Sequence, residues 1–402
     1  MQDPQRKPPP MLVPFLNFGH ALDHVVVLIY PTVVLTLSAE FGRPYGELLP
    51  LSMGGFLAFG AGALPAGWLG DHWSRRKMMA VFFFGVGIAC LLTALASSPW
   101  QIAAGLTLIG AFAAIYHPVA NAMLVADPAR LGRVLGVNGL FGNLGVAFAA
   151  LMAGALTEAV SWRAAFIVPG VVGLISGFLW LRVIPETRIV KTAAKARLTD
   201  HMDRAVLLRL FLILMGSTVL GGVIFSATTI AMPKVFDERL HGLVHGTFGV
   251  GALVSVVYAL AAFAQMCVGP LIDRMSMRGV FIPLALLQVP LLVLAGQTEG
   301  WPMFAAAIAM MFVVFGQIPI NDAMVGRYTA EAFRARVYAV RYFVSFGASA
   351  AAIPLVSVLH ERQGGFQQVF TVLAVLAAGT IGLALWFPAS RHLSPRQDQT
   401  QG

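Results

Sequence analysis

Twelve separate stretches of this chain are each about 20 residues long and almost free of charge, the length an α-helix needs to cross the hydrocarbon core of a bilayer. Their approximate limits are 11–38, 47–69, 78–97, 100–125, 134–157 and 163–184, then 206–233, 247–272, 279–296, 301–326, 337–359 and 366–388. Inside lipid no water bonds the backbone, so a single spanning segment must satisfy its own N–H and C=O groups and is helical. The class that follows is an all-α membrane protein of twelve transmembrane helices. Composition agrees, with 58% hydrophobic and 11% charged residues, against about 25% charged in soluble domains. The second, fourth and tenth spans carry enough Gly or Pro to bend. Met1 to Pro10 is polar, with Arg6 and Lys7. The run after it carries His20, Asp23 and His24 and continues past Leu37 without a small-residue cleavage site, so a retained first span is expected rather than a removed signal peptide.

Lys and Arg set the expected orientation. With the N-terminus in the cytoplasm, nineteen of the 27 basic residues fall in inner segments and five (Arg43, Arg163, Lys234, Arg239 and Arg362) in outer ones. Arg182, Arg209 and Arg341 lie at or within spans. Both termini are therefore expected inside. The net charge of +9 is spread over every inner loop, which argues against a nucleic-acid face. Cys90 and Cys267 have neither disulfide nor metal spacing and read as packing residues.

The longest polar break, 185–205, separates six spans from six. Across it the chain repeats itself. Pro31 and Pro233, Gly67 and Gly269, Leu69 and Leu271, Asp71 and Asp273, and Ser74 and Ser276 are each 202 residues apart. Trp100 and Trp301, Pro118 and Pro319, and Ala122-Met123 and Ala323-Met324 are 201 apart, and Arg133-Val134 matches Arg336-Val337 at 203. Agreement of Asp, Trp, Pro and Arg at one offset is an internal repeat. Six spans per half keep the repeats parallel. The expected organisation is a tail at 1–10, a six-helix bundle at 11–184, a linker at 185–205, a second bundle at 206–388 and a tail at 389–402.

The loop between spans two and three runs Gly67-Trp-Leu-Gly-Asp71-His-Trp-Ser-Arg75-Arg76-Lys77, and its echo runs Gly269-Pro-Leu-Ile-Asp273-Arg-Met-Ser-Met-Arg278. A topogenic basic loop would explain Arg75, Arg76 and Lys77, but neither Asp71 nor the duplicate. The motif resembles the signature loop of the major facilitator superfamily. The resemblance extends to the span count, linker and parallel repeat. It implies that Gly67, Asp71, Arg75 and Arg76, with Gly269, Asp273 and Arg278, form a gating loop: glycine for close helix approach, carboxylate beside a helix N-terminus, arginines reaching other helix ends. His72 and Ser74 depart from the family pattern, which has a basic residue and a glycine there.

Within that superfamily, Ile109-Gly-Ala-Phe-Ala-Ala-Ile-Tyr116-His117-Pro118, with His20 and Asp23 in span one, resembles the fosmidomycin-resistance-type exporters. Val119 stands where that group often has an acid. Two marks of common drug/proton antiporters are absent: Leu106 replaces the fourth-span arginine, and Gly145-Val146 replaces the fifth-span Gly-Pro pair.

Ionisable residues within spans are costly and are functional candidates. Asn17, His20, Asp23 and His24 fall at i, i+3, i+6 and i+7, one face of span one. His117 and Asn121 are one turn apart in span four. The resemblance makes both spans cavity-lining, so these six residues are the candidate coupling set. Asp23 has Phe225 as its repeat counterpart and is no relic of duplication. Desolvation and nearby cations tune buried carboxylates in opposite directions, and histidine titrates near neutrality, so such a set can load and release a proton. A structural cluster tying span one to its neighbours is the plain alternative. Asn138, Gln317, Asn321, Asp322 and Arg341 are candidate substrate contacts, with a bracing pair between spans ten and eleven as the alternative for Asp322 and Arg341.

His20, Asp23 and His24 also have metal-ligand types and spacing. Copper-importing superfamily members pair Met and His four residues apart in spans seven and eight, whereas Met232 is followed by Phe236 and Met266 preceded by Ala262. No metal site is expected on that pattern, and Met packs ordinary helices. The chain has no Gly-Lys-Ser/Thr phosphate loop, nucleophile elbow or His-Glu-x-x-His motif, so neither ATP, another cofactor nor an enzyme activity is expected. The expectation is a monomeric secondary transporter of the bacterial inner membrane, moving a small organic solute by alternating access in proton-coupled efflux. Uptake, including metal uptake, is the alternative within transport, and a sensor or assembly factor on the same fold the alternative outside it.

Overall fold

The computed structural model describes residues 9–124, 131–186, 204–240, 242–329, 331–362 and 365–388. Most of the expected tails and linker, with Arg6, Lys7, Arg130, Arg188, Lys191, Lys195, Arg197, Arg391 and Arg396, lies outside the described residues. Among the described residues twelve helical segments are long and apolar enough to span a membrane. They are α1 (Leu12–Phe41), α2 (Tyr45–His72), α3 (Arg75–Ala94), α4 (Pro99–Leu124), α5 (Gly136–Ala159) and α6 (Trp162–Val183), then α7 (Arg204–Arg239), α8 (Gly246–Arg274), α9 (Met277–Gln297), α10 (Gly300–Tyr328), α11 (Val340–Glu361) and α12 (Phe366–Trp386). The expected spans all have counterparts within a few residues, because length and apolarity are local properties. Side chains such as Ile88, Leu92, Phe148, Ile175 and Phe178 are exposed on outward faces, as lipid-facing residues are.

Three helix breaks fall just ahead of a proline, while Pro65, Pro169, Pro233, Pro270, Pro283, Pro290 and Pro354 lie inside continuous helices. The i−4 carbonyl opposite a proline loses its donor. α1 breaks at Ile29, just before Pro31. α4 breaks between Ala113 and Tyr116, before Pro118, and α10 at Gln317, before Pro319. The freed turns close as i→i+3 bonds, Ile115 N–H to the Phe112 carbonyl and Gln317 N–H to that of Val314. α2 starts as a turn at Tyr45–Leu48 and a 3-10 turn at Leu49–Ser52 before its main helix. The bends expected in spans two, four and ten are therefore present, and α1 adds one that glycine and proline content did not single out.

The chain forms two compact units. The first holds α1 to α6 together with Ile230–Ala259, from the end of α7 and the start of α8. Within it α3 packs along α6, α1 along α5 and α2 along α4. At the start of α8, Glu158 accepts the Phe248 backbone N–H at 2.8 Å. There a Cβ on Gly251 would lie 2.2 Å from the Ala150 carbonyl oxygen, so only glycine permits that approach of α5 and α8. The second unit holds the rest of α7 and α8 with α9 to α12. Here α9 packs along α12, the repeat of the α3–α6 pair. Its core includes Leu210, Ile213, Val268, Ile272, Phe281, Ile320 and Phe387. Cys90 is buried as a packing residue should be, but Cys267 is exposed on α8, so packing accounts for only one of the two.

Candidate functional site

The α1 face converges on the kinked end of α4. Asp23 is fully buried, with its carboxylate 3.6 Å from Nε2 of His117. Neither Asp23 oxygen has a hydrogen-bond partner among the described residues. The rings of His20, His24 and His117 lie with centroids 5.0 to 5.7 Å apart. One ring nitrogen from each falls within 4.8 Å of the others.

Asn138 on α5 organises the set. Its side-chain amide donates to the Asn17 amide oxygen at 3.0 Å and to the Tyr116 hydroxyl at 2.9 Å. Tyr116 donates in turn to the Leu16 carbonyl at 2.6 Å and stacks on His20 at 4.9 Å. The backbone carbonyl of Asn138 lies 2.7 Å from Nδ1 of His20. A carbonyl only accepts, so His20 carries its proton on Nδ1, and Nε2 is the nitrogen left with its lone pair. That Nε2 is buried without a partner. Asn138 is 2% exposed, and its amide is engaged within the cluster. Asn121 is half-buried on α4, a turn beyond His117.

Sequence reasoning missed Gly142. A Cβ there would lie 2.6 Å from both Cε1 and Nε2 of His20, so the bare α-carbon makes room for the ring. The signal was available: Gly139, Gly142 and Gly145 recur every third residue, the small face that lets transmembrane helices approach.

In the second unit, α10 carries the remaining candidates. Gln317 donates to Gln288 at 2.9 Å, and Asn321 accepts from Ser217 at 2.8 Å. Arg341 and Asp322 form an ion pair between α11 and α10. The arginine side chain is 11% exposed and the aspartate 47%. Gln317 is thus tied to α9, Asn321 to α7 and Asp322 to α11.

Across the turn between α2 and α3, Asp71 in the last turn of α2 pairs with Arg75 at the start of α3 at 2.7 Å, and Arg75 also donates to the Ala122 carbonyl at 2.9 Å. Arg76 donates to the Ile184 and Leu181 carbonyls at the end of α6. Both arginines thus bond helix ends within the first unit. A Cβ on Gly67 would lie 3.2 Å from that of Pro118, so this end of α2 sits tightly against α4. In the echo, Asp273 pairs with Arg327 of α10 at 3.0 Å, Arg278 is half-buried, and Gly269 has open space around it. Ser74 and Ser276 both cap the following helix, accepting from Lys77 and Gly279 N–H groups. N-capping gives the duplicated serine its physical reason.

A helical fold of twelve apolar spans, with ionisable groups buried at span depth, defines a polytopic membrane transporter. The chain belongs to the Major Facilitator Superfamily, whose family model matches residues 16–318 and 214–402. It is 36% identical over 135 residues to the puromycin resistance protein pur8 of Streptomyces alboniger, a match covering 33% of this chain and only 27% of that protein. It is 22% identical over 394 residues to a Na(+), Li(+), K(+)/H(+) antiporter of Planococcus maritimus, covering 89% of this chain and 91% of that one. Among solved structures it is similar to a D-xylose-proton symporter, with a TM-score of 0.75, 14% identity and 94% and 98% of the two chains covered. That last likeness speaks for the fold alone.

Proposed function

We propose that the protein is a proton-coupled exporter of a small organic solute in the bacterial inner membrane, with both termini cytoplasmic. Loading and release of a cation at Asp23 would be tied to alternating access. The observation that carries this reading is the Asp23 carboxylate, buried with neither oxygen hydrogen-bonded and 3.6 Å from His117. An ionised carboxylate in such surroundings is costly without a compensating cation, and protonation is the simplest way to supply one. Efflux rather than uptake is favoured by the puromycin resistance relative. Proton exchange is favoured by the antiporter that matches nearly the whole chain.

The test uses reconstituted vesicles with an imposed pH gradient. Puromycin is the first probe, followed by solutes picked by thermal stabilisation of the purified protein, since a true ligand stabilises by mass action. Asp23→Asn is expected to abolish gradient-driven transport while exchange between equal solute pools, which moves no net proton, survives. Unchanged driven transport in this variant from about pH 5.5 to 8, a range bracketing histidine titration, would remove Asp23 from coupling. Accumulation in the opposite direction would replace efflux by uptake.

A further inference from the structure

We propose that His20, His24 and His117 form a binding site for one divalent transition-metal ion of the zinc class, with the Asp23 carboxylate beside His117. The three imidazoles come from two helices, and one nitrogen of each already lies within 4.8 Å of the others. Tetrahedral zinc with nitrogen bonds of about 2.0–2.1 Å needs these atoms about 3.3 Å apart. Binding would therefore draw the rings closer together, and α4 breaks immediately before His117.

Two further observations point to a ligand. The Nδ1–H of His20 is held by a backbone carbonyl, the outer contact that fixes a metal-binding imidazole with Nε2 facing the ion. That same Nε2 is buried and unpartnered, as are both oxygens of Asp23. An ion bound to this nitrogen would satisfy it, and its charge would offset the Asp23 carboxylate 3.6 Å from His117. Three neutral imidazoles and a water in the fourth position would complete a tetrahedron, and the Asp23 carboxylate beside His117 would offset part of the ion's charge. A donor set of borderline nitrogen ligands suits zinc, cobalt or nickel rather than calcium or magnesium. The Met pattern of copper carriers, absent from α7 and α8, is not required. The inference concerns the cluster used above but stands on its donor geometry alone, whatever ion proves to drive transport.

The experiment is equilibrium binding to the purified full chain in detergent, with no transport step. Cobalt(II) is titrated while visible ligand-field absorption is followed, and zinc is then added as competitor. One cobalt per chain is expected, with the intense bands of a tetrahedral site, displaced stoichiometrically by zinc. His24→Ala and His117→Gln should each weaken binding at least tenfold, the scale seen when even outer contacts of metal sites are lost. His72→Ala, on an exposed histidine outside the cluster, should change nothing. Metal-free thermal unfolding of each variant shows whether it folds. Should His117→Gln fail to fold, His24→Ala and His20→Gln carry the same comparison. Absence of a tetrahedral band in the wild type overturns the proposal, as does cobalt binding that survives the α1 and α4 changes. Failure here leaves the Asp23→Asn transport result untouched, so the two readings fall separately.

Discussion

The Nδ1–H of His20 on α1 is bound at 2.7 Å by the backbone carbonyl of Asn138 on α5. Because the acceptor is main chain, the tautomer of His20 is set by the packing of two helices and survives substitution of the Asn138 side chain. A backbone contact of this kind requires α5 to lie very close to α1. It does: a Cβ on Gly145 would lie 2.4 Å from the Ala21 carbonyl.

Gly142→Ala is therefore expected to displace the His20 ring, since its new methyl would sit 2.6 Å from Nε2. Overpacking of this kind costs about 1–3 kcal/mol, and driven transport should fall with it. Gly139→Ala is the matched control, because a Cβ there meets nothing within 4 Å. Thermal unfolding and vesicle transport of the pair check the point. Equal behaviour of the two variants would mean that the ring is not confined.

The duplicated loop should tolerate neutralisation structurally but not functionally. The Asp71 and Asp273 side chains are 57% and 80% exposed, so losing either pair should cost no more than about 1 kcal/mol. Asp71→Asn should nevertheless impair transport more than Asp273→Asn, because its partner Arg75 also ties the loop to the Ala122 carbonyl on α4. Wild-type rates in Asp71→Asn, at normal membrane expression, would remove the gating role.

Asp322 and Arg341 should respond asymmetrically. Asp322→Asn leaves a buried guanidinium without its counter-charge, whereas Arg341→Met leaves an aspartate that is half exposed. The first should destabilise more than the second. The double variant should recover part of the loss, with a coupling of about 0.5–3 kcal/mol. Simple additivity in unfolding measurements would show the pair to be energetically idle.

Reporter fusions after Gly70, Pro128, Ala194 and Pro395 should report cytoplasm, and those after Pro44 and Gly300 the outside. The expectation rests on the nineteen-to-five distribution of Lys and Arg. One clear reversal would overturn the orientation.

The number of spans, their helical form and the parallel repeat were readable from the chain alone. Each rests on a requirement that acts within about 20 consecutive residues or on identity at a constant offset: apolar length against bilayer thickness, and backbone bonds that must close inside one segment. The shared face of Asn17, His20, Asp23 and His24 was equally local, a matter of 3.6 residues per turn. Which groups that face meets was not. His117 lies 94 residues beyond Asp23 in sequence and comes within 3.6 Å only because α4 breaks ahead of Pro118 and packs beside α1. Asn138 and Gly142 join the cluster only because α5 lies along α1 with glycines at the seam. Apolar periodicity says which side of a helix is polar but carries no record of its neighbours, since in lipid every helix is apolar and close packing chooses the partners.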